Sequence, residues 1–519
     1  MRRRDWIGGA AVLGLAPSRL RADVPTHLWP GYDFGPGPRV SDRLNQGPFA
    51  IEQDDGWFTV AATSPSEHAV PNYGLGLVGY AWEESGPSLA ARAGHESLAQ
   101  HVERMASLPF VDVLYIRCDW RDVQRRSGRL DLSPVWSLTL DAVRRHKKRV
   151  AFRVMISNTV GQPQYLALPD FVQAKVPIVP IGSIPEYGSF QFREPRYDHP
   201  EFLKAFRELV ELLAAEFDSN PLIEWIDLMQ YGLWGESHTG GLPSPFPDYV
   251  TAERTMVALT RLQVDAFQHA QLAVNTQPDI SHTGNREVVD LSVRAGAWLR
   301  SDSILVEEPE QIDALANRPP WLASILEDGY LRRYDARTPG YLPLDAAGVN
   351  LLELSMLHVL DLGANYWSLW TEAAELDEYN KRYPRGFARL RQRMGYRVRP
   401  SWIWQRKRYG VNELVVAFMN DGVAGVPGVL RISLKSADGK TLGSGCLDAG
   451  QPYGGKTRQA AFLVPRELEG QPVFLAAAIE CKAGLRRPVQ WACEQPLEPD
   501  GSYRVVVKKQ SDSDWRKSI

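Results

Sequence analysis

The sequence predicts an α/β fold, a (β/α)₈ TIM barrel followed by a C-terminal antiparallel β-sandwich domain. Between residues 74 and 396, eight short apolar runs alternate with amphipathic helical stretches, which is the pattern of repeated βα units. After residue 397, strand-like segments follow one another between turn signals such as Asp438-Gly439, without helical periodicity, as in a β-sandwich. The chain has 519 residues, of which 44% are apolar and 23% charged. It is therefore long enough for several domains and has the composition of a globular protein.

The first 22 residues have the features of a signal peptide. Arginines at positions 2–4 precede an apolar run at residues 6–16, which is shorter than the ~20 residues that span a bilayer but suits a secretory leader. The pair Arg3-Arg4 resembles a twin-arginine export signal. We expect cleavage near Ala22, export to the periplasm or the extracellular space, and no membrane contact after the leader is removed. Residues 23–73 are predicted to be an N-terminal extension, with a hairpin-like piece at 49–62, that lies across the outside of the barrel.

The predicted barrel occupies residues 74–396, and a long insertion rich in proline and tyrosine, residues 163–199, follows its third strand. Loops that follow the strands form the catalytic face of such barrels, so we expect this insertion to shape the site. The eight strand-like runs are residues 75–82, 111–120, 149–157, 223–231, 272–276, 297–299, 321–326 and 364–370.

The predicted sandwich occupies residues 397–510, and a polar tail at 511–519 completes the chain. Its strand-like segments are residues 413–419, 428–434, 459–464, 473–479 and 502–507.

Charge and cysteine content exclude several classes of function. With 59 Lys and Arg against 62 Asp and Glu, the formal net charge is −3, so there is no basic excess for binding a nucleic-acid backbone. The four cysteines show no Cys-x-x-Cys spacing, and no metal or cofactor is expected. Cys118 is predicted to be a buried thiol. Export would permit one disulfide among Cys446, Cys481 and Cys493, with the pairing open.

The fourth apolar run leads to the first candidate catalytic residue, Glu236. It ends in Tyr231-Gly-Leu-Trp234-Gly235-Glu236, which puts a carboxylate beside an indole at the predicted barrel mouth. Burial against an aromatic ring favours the protonated form of a carboxyl group, as a general acid requires. The alternative is a buried glutamate with a structural partner.

The second candidate is Glu327, which follows the seventh apolar run just before a turn. It is predicted to act as the nucleophile, or as the base if the reaction inverts the anomeric configuration. Four other carboxylates near strand ends are rivals for this role: Glu307, Glu308, Asp328 and Glu372.

Polar and aromatic side chains at the ends of the other runs are candidates for substrate binding. Arg117 could hold the nucleophile ionised or form a salt bridge to a neighbouring strand. The full candidate set is Trp82, Arg117, Asn158, Tyr231, Trp234, His238, Asn275, Gln277, Arg300, Trp367 and Trp370.

Several motifs resemble those of clan A glycoside hydrolases. They are residues 120–131 (WRDVQRRSGRLD), 197–201 (YDHPE), 232–238 (GLWGESH) and 394–397 (MGYR). The resemblance is closer to an uncharacterised bacterial family with a glycosidase-like barrel and a C-terminal β-sandwich of unknown function. It implies Glu236 as acid/base, Glu327 as nucleophile and retention of configuration. The chain departs from the clan pattern at Gly235, where many members have asparagine, and at Gln124-Arg125, which replaces Glu-Pro.

These observations together predict a glycoside hydrolase that cleaves O-glycosidic bonds in a poly- or oligosaccharide. The alternative is a non-catalytic carbohydrate-binding protein on a degenerate glycosidase barrel, which the glycine at position 235 favours. A non-glycosidic enzyme such as a lyase would gain from Tyr or His in place of the second carboxylate. The sugar, the linkage and the oligomeric state are left open by the sequence.

Overall fold

The computed structural model describes residues 58–81, 96–158, 166–183, 191–237, 242–276, 285–302, 304–305, 307–328, 351–408, 411–482 and 484–509. The predicted signal peptide, most of the N-terminal extension and the tail lie outside the described residues. So do three candidate substrate-binding residues, Trp82, His238 and Gln277.

The elements alternate between strand and helix in the first part of the chain and are almost all strands afterwards. The strands are β1 (Phe58–Ala62), β2 (Gly76–Tyr80), β3 (Val113–Asp119), β4 (Arg149–Met155), β5 (Ile178–Gly182), β6 (Phe192–Pro195), β7 (Ile223–Asp227), β8 (Leu272–Asn275), β9 (Trp298–Ser301), β10 (Ser324–Asp328), β11 (Tyr366–Leu369), β12 (Val398–Arg408), β13 (Val411–Asn420), β14 (Val429–Ser436), β15 (Thr441–Leu447), β16 (Thr457–Val464), β17 (Pro472–Glu480), β18 (Arg486–Val489) and β19 (Tyr503–Val506). The helices are α1 (Leu98–Ser107), α2 (Trp120–Val123), α3 (Pro134–His146), α4 (Asp170–Gln173), α5 (Pro200–Phe217), α6 (Tyr249–Ala266), α7 (Asn285–Arg294), α8 (Pro309–Ala316), α9 (Leu351–Asp361), α10 (Ala373–Arg382) and α11 (Pro384–Arg393).

Eight parallel strands close into a barrel in the order β2-β3-β4-β7-β8-β9-β10-β11. Each of the eight predicted apolar runs overlaps one of these strands, so the predicted barrel is confirmed. Side chains alternate between the interior and the surrounding helices, as a strand requires. Tyr115, Trp225, Trp298 and Tyr366 face inward and contact one another as rings. The amino-terminal half of the interior is therefore filled by aromatic side chains.

Helix α5 shows how the outer helices are determined by the sequence. Pro200 begins it without losing a needed N–H donor, and the ring of His199 accepts a hydrogen bond from the backbone N–H of Glu201. Its buried residues recur at helical spacing and pack against the barrel: Phe202, Phe206, Leu209, Val210, Leu213 and Phe217. Within the described residues, no helix is long and apolar enough to cross a membrane.

Two antiparallel sheets follow the barrel, as predicted. One has the order β1-β12-β13-β16, and the other has β15-β14-β17-β18 with β19 also paired to β17. Buried side chains of both sheets, such as Leu414 and Ile432, belong to one hydrophobic cluster. The apolar pattern predicts β13, β14, β16, β17 and β19 but not β12, since that strand carries Pro400 and four cationic side chains.

The N-terminal extension differs from the prediction at its first described residues. Phe58–Ala62 does not lie across the outside of the barrel but pairs with β12 at the edge of the first C-terminal sheet. Arg397 donates hydrogen bonds to the backbone oxygens of Ser66 and His68, at 2.7 and 2.6 Å. Strand pairing at a sheet edge and hydrogen bonds from a buried guanidinium group thus attach this segment to the C-terminal sheets.

All four cysteines are free thiols in the structure. Cys118 is buried on the outer face of β3, as predicted. The disulfide that export would permit among the other three is not formed.

The C-terminal sheets cover the amino-terminal end of the barrel. Arg487 Nη2, on β18, donates to the backbone oxygen of Ile223 at 3.2 Å, and Lys482 Nζ, after β17, donates to that of Phe267 at 2.7 Å. The opposite end, where strands lead into loops, is not covered by these sheets.

Candidate active site

Charged side chains from several strands meet inside the carboxyl-terminal end of the barrel. Arg117 comes from β3, Arg153 from β4, Arg300 from β9 and Glu327 from β10. Glu236 enters from the loop that follows β7. All five are buried, so each charge depends on its neighbours for compensation.

Glu236 and Glu327 share one guanidinium nitrogen. Arg117 Nη1 lies 3.1 Å from Glu236 Oε1 and 3.9 Å from Glu327 Oε1. These two carboxylate oxygens are therefore no more than about 7 Å apart. Retaining glycosidases have carboxyl groups ~5–5.5 Å apart and inverting ones ~6.5–9.5 Å apart. The two glutamates thus meet at one guanidinium nitrogen, and the upper limit on their separation is compatible with either mechanism.

Glu236 reaches the barrel axis through a tightly turned loop. The backbone N–H of Ser237 donates to the oxygen of Tyr231 at 3.0 Å, which returns the chain toward the strand it has left. Trp234, Gly235 and Ser237 have φ values of 52°, 70° and 64°. Left-handed backbone favours glycine, so the turn itself accounts for glycine at position 235.

Glu327 is directed inward by the alternation along β10. Arg300 Nη2 donates to Glu327 Oε2, and the same guanidinium lies 4.9 Å from the centre of the Tyr115 ring. The neighbouring Asp328 is the last residue of the strand and has the opposite parity. Only Glu327 of this pair therefore points at the axis.

Three charged residues that the sequence analysis did not single out complete this cluster. Arg153 Nη1 lies 3.2 Å from Glu236 Oε1, and its Nη2 lies 3.0 Å from Asp302 Oδ1. Its Nε lies 3.4 Å from Asp227 Oδ2. A signal for all three exists in the sequence: each is a charged residue two positions from an inward-facing residue of a buried strand.

The pKa of Asp302 shows how strong the compensation is. Burial by itself would raise the pKa of this carboxyl group, but Arg153 and Arg300 outweigh burial and hold the pKa below its usual value. Arg300 Nε donates to Asp302 Oδ1 at 2.6 Å. Asp302 is therefore an anion that two guanidinium groups share.

The rival carboxylates have other surroundings. Glu307 Oε1 lies 3.3 Å from Ser301 Oγ and 3.2 Å from His358 Nε2, on the outer side of the strands. Glu308 begins helix α8 in a capping box with Gln311, and Glu372 precedes helix α10 at its N-cap position. The structure brings Glu236 and Glu327 together and keeps these rivals apart from them.

Two aromatic candidates lie in the core instead of at the substrate surface. Tyr231 packs between the rings of Tyr197 and Phe246, and Trp367 packs against Phe387 among the outer helices. Both side chains are buried. Trp367 points from β11 toward the outer helices, and Tyr231 is covered by the aromatic rings against which it packs. In this structure neither ring therefore presents a surface to a ligand.

The other described candidates lie at the carboxyl-terminal end. Trp234 and Trp370 are half-buried, which leaves part of each indole accessible. Asn158 Nδ2 donates to Asp119 Oδ1 at 2.9 Å, and Asn275 is buried at the end of β8. Arg117 and Arg300 form ion pairs with the carboxylates of Glu236 and Asp302, respectively. Within the described ranges, no group of three or more metal-ligating side chains is arranged to hold an ion.

A further buried carboxyl group, Glu194, lies on β6 in the insertion after the third barrel strand. It accepts hydrogen bonds from the hydroxyls of Ser157 and Tyr197. Burial raises the pKa of Glu194 to about 7, although both hydroxyls oppose the increase. This carboxyl group is held without an arginine.

Solved structures that resemble the chain include three glycoside hydrolases. Endoglycoceramidase II from a Rhodococcus species, in a complex with ganglioside GM3, is 12% identical over 78% of this chain and 100% of its own, with a TM-score of 0.35. The catalytic domain of β-amylase from Paenibacillus polymyxa is 9% identical over 60% of this chain and 98% of its own, with a TM-score of 0.38. The exo-β-1,4-mannosidase Op5Man5 from an Opitutaceae bacterium is 13% identical over 66% of this chain and 57% of its own, with a TM-score of 0.34. No family model matches the sequence, and no curated protein matches it. The side chains of the site therefore carry the functional argument.

Proposed function

We propose that the protein is a glycoside hydrolase that cleaves O-glycosidic bonds in a poly- or oligosaccharide with Glu236 and Glu327. One observation carries this proposal: the two buried glutamates face the same nitrogen of Arg117, with the contacting oxygens no more than about 7 Å apart. Two carboxyl groups at such a distance can act on opposite sides of one glycosidic bond.

The proposed reaction retains configuration and has two steps. Glu327 attacks the anomeric carbon and forms a glycosyl ester, while Glu236 gives its proton to the departing oxygen. Glu236, now a carboxylate, takes a proton from water, and the water oxygen replaces Glu327 on the sugar. Arg300 and Arg117 support the first step, since both contact Glu327 and orient its carboxylate.

A carbohydrate-binding protein without catalysis is the second candidate. Two guanidinium groups already contact Glu236 Oε1, and glycine replaces the asparagine that many clan A enzymes have before the acid/base residue. Such a protein would bind glycans at the same barrel mouth and release no product.

The Glu236→Gln variant tests the proposed chemistry. The wild-type protein is first assayed on aryl glycosides and polysaccharides to find a substrate. In the variant, substrates with poor leaving groups should slow by about 10²–10⁴-fold because they need a proton donor. Activated aryl glycosides should keep a fast first step and stall as the glycosyl ester. Azide should restore their turnover, since an anion attacks the ester without a general base.

Two results would refute parts of the proposal. Glycan binding by the wild type without any product would favour the binding protein. Equal loss on all substrates without azide rescue would remove Glu236 from the acid/base role.

We further propose the domain division and the location of the mature protein. Residues 74–396 would be the catalytic barrel and residues 397–510 a β-sandwich, which the shared core of the two C-terminal sheets supports. Residues 1–22 would be removed on export, as the arginines and the apolar run suggest. Mass spectrometry of exported protein from the native host should show the loss of roughly 22 residues, and an intact Met1 would refute it.

A further inference from the structure

Acidic and basic side chains alternate in a closed ring on the barrel axis. Successive contacts measure 3.1 and 3.9 Å on the two sides of Arg117, 2.6 Å between Arg300 and Asp302, and 3.0 and 3.2 Å on the two sides of Arg153. Arg300 also contacts Glu327 and closes the ring. The members in order are Glu236, Arg117, Glu327, Arg300, Asp302 and Arg153.

We propose that Arg153 is a positioning residue that holds Glu236 at the catalytic distance from Glu327. Its catalytic meaning rests on the function proposed above. Arg153 and Arg117 are the two neighbours of Glu236 in the ring, and both contact Glu236 Oε1.

The three nitrogens of Arg153 are used in three directions. Nη1 contacts Glu236 and donates to the backbone oxygen of Trp234 at 3.4 Å. Nη2 donates to Asp302, and Nε faces Asp227. One planar group thus holds both the side chain of Glu236 and the left-handed turn that carries it. A lysine ammonium lacks this fixed fork.

Asp302 keeps Arg153 in place. Its Oδ1 receives Arg153 Nη2 and Arg300 Nε together, so the two guanidinium groups are linked through a shared anion. Arg300 in turn holds Glu327. The positions of the two glutamates are therefore coupled along both halves of the ring.

The ring also keeps its total charge through the proposed reaction. When Glu236 gives up its proton, it becomes an anion, and Glu327 loses its charge by forming an ester in the same step. The three arginines therefore face an unchanged number of negative charges, and Arg117, which contacts both glutamates, remains paired at each stage. No ion has to enter the buried site during the cycle.

The Arg153→Lys variant tests the inference, with Arg149→Lys as its matched control. Arg149 lies on the same strand and pairs with Glu224 at 2.9 Å, but at the amino-terminal end of the barrel. We expect Arg153→Lys to lower kcat by about 10²-fold, since a shift of 1 Å in a catalytic group has that effect, with KM changed less than about threefold. Arg149→Lys should leave kcat and the pH–rate profile unchanged.

Arg153→Met gives a second measurement. Loss of the guanidinium group that holds Glu236 should lower kcat at least as much as Arg153→Lys does, with KM again changed less than about threefold, a split that a purely structural role would not produce. Circular dichroism shows whether this variant folds, and Arg153→Lys decides alone if it does not. An unchanged kcat in Arg153→Lys would overturn the inference.

A crystal structure of Arg153→Lys separates this inference from the proposed function. We expect the Glu236 carboxylate to leave Arg117 Nη1 by about 1 Å or more. A carboxylate that stays in place overturns the positioning role, whatever the protein does to glycans. If the wild type hydrolyses no glycoside, the proposed function fails, while a displaced Glu236 in the variant still supports positioning.

Discussion

Each end of the barrel contains a buried arginine–glutamate pair, and the two pairs have different roles. Arg149 and Arg153 lie four residues apart on β4 and face the same side of the strand. Arg149 contacts Glu224 near the amino-terminal end, and Arg153 contacts Glu236 at the carboxyl-terminal end. A buried arginine beside a buried glutamate is therefore not by itself evidence of an active site.

The surroundings of the carboxylates differ between the two ends. Glu224 has an ion pair with Arg149, a tyrosine hydroxyl and the N–H of Gly74, and Arg487 also lowers its pKa, but burial outweighs them and raises it. At the other end, two arginines overcome burial and lower the pKa of Asp302. In Glu194, which has only hydroxyl partners, burial raises the pKa to about 7.

Arginine contacts and burial thus act in opposite directions on a buried carboxyl group. Burial outweighs the arginines at Glu224, and the arginines outweigh burial at Asp302. The carboxyl-terminal end has three arginines among four carboxyl groups, which share these cations on the barrel axis. The amino-terminal end uses its single pair beneath the C-terminal sheets, where it contributes to stability.

The largest difference between the ends should appear when each glutamate loses its charge. Glu327→Gln should lower turnover on every substrate by at least about 10³-fold, because an amide cannot form the glycosyl ester. The rate is measured on activated aryl glycosides, for which the loss of a general acid would matter little. Full activity in this variant would promote Glu307, Glu308 or Glu372 to the role of nucleophile.

Glu224→Gln is the matched variant at the amino-terminal end. It leaves the Arg149 guanidinium without its buried anion, which should lower the free energy of unfolding by about 3–5 kcal/mol. Its kcat at a temperature where it is folded should equal that of the wild type. A loss of kcat without a loss of stability would contradict the division of roles between the two ends.

Glu194 should make the stability of the protein depend on pH. Its pKa is 4.5 in a model peptide and about 7 in the folded protein. Between these values the unfolded chain releases a proton that the folded protein keeps. The free energy of unfolding should therefore fall by about 3 kcal/mol as the pH rises from 4.5 to 7.

Urea denaturation of wild type and Glu194→Gln across this pH range measures the effect. Glutamine has no proton to release, so the variant should lack this part of the pH dependence. Glu211→Gln, an exposed position on α5, serves as the control and should follow the wild type. Identical slopes for wild type and Glu194→Gln would show that the hydroxyls of Ser157 and Tyr197 hold an ordinary carboxylate.

The sequence predicts the barrel well because the evidence for each strand is local. Each apolar run indicates its own strand, and parallel neighbours follow from the βα alternation. The ring is different, since the contact between Arg153 and Asp302 depends on which strands are adjacent and on their register. A shift of one residue exchanges the two faces of a strand. The apolar run at residues 364–370 therefore does not determine whether Tyr366 or Trp367 faces the barrel interior. The edge strand β1 depends on a partner more than 300 residues away in the sequence.

The smallest expected effect concerns the aromatic side chains at the two ends. Trp225 and Trp298 fill the barrel interior and are fully buried, whereas Trp234 is half-buried beside Glu236 and packs at the edge of a small apolar cluster.

Trp234→Ala keeps the backbone oxygen that Arg153 contacts and removes only the indole. If a sugar stacks on this ring as a base stacks on an aromatic side chain, glycan affinity should weaken by about 1–3 kcal/mol. Calorimetry in the Glu327→Gln background measures binding without turnover, and Trp402→Ala on β12 is the control. Unchanged affinity in Trp234→Ala would assign the indole to the apolar cluster, and the difference between the two ends would then rest, among the described residues, on the ring that contains Glu236 and Glu327.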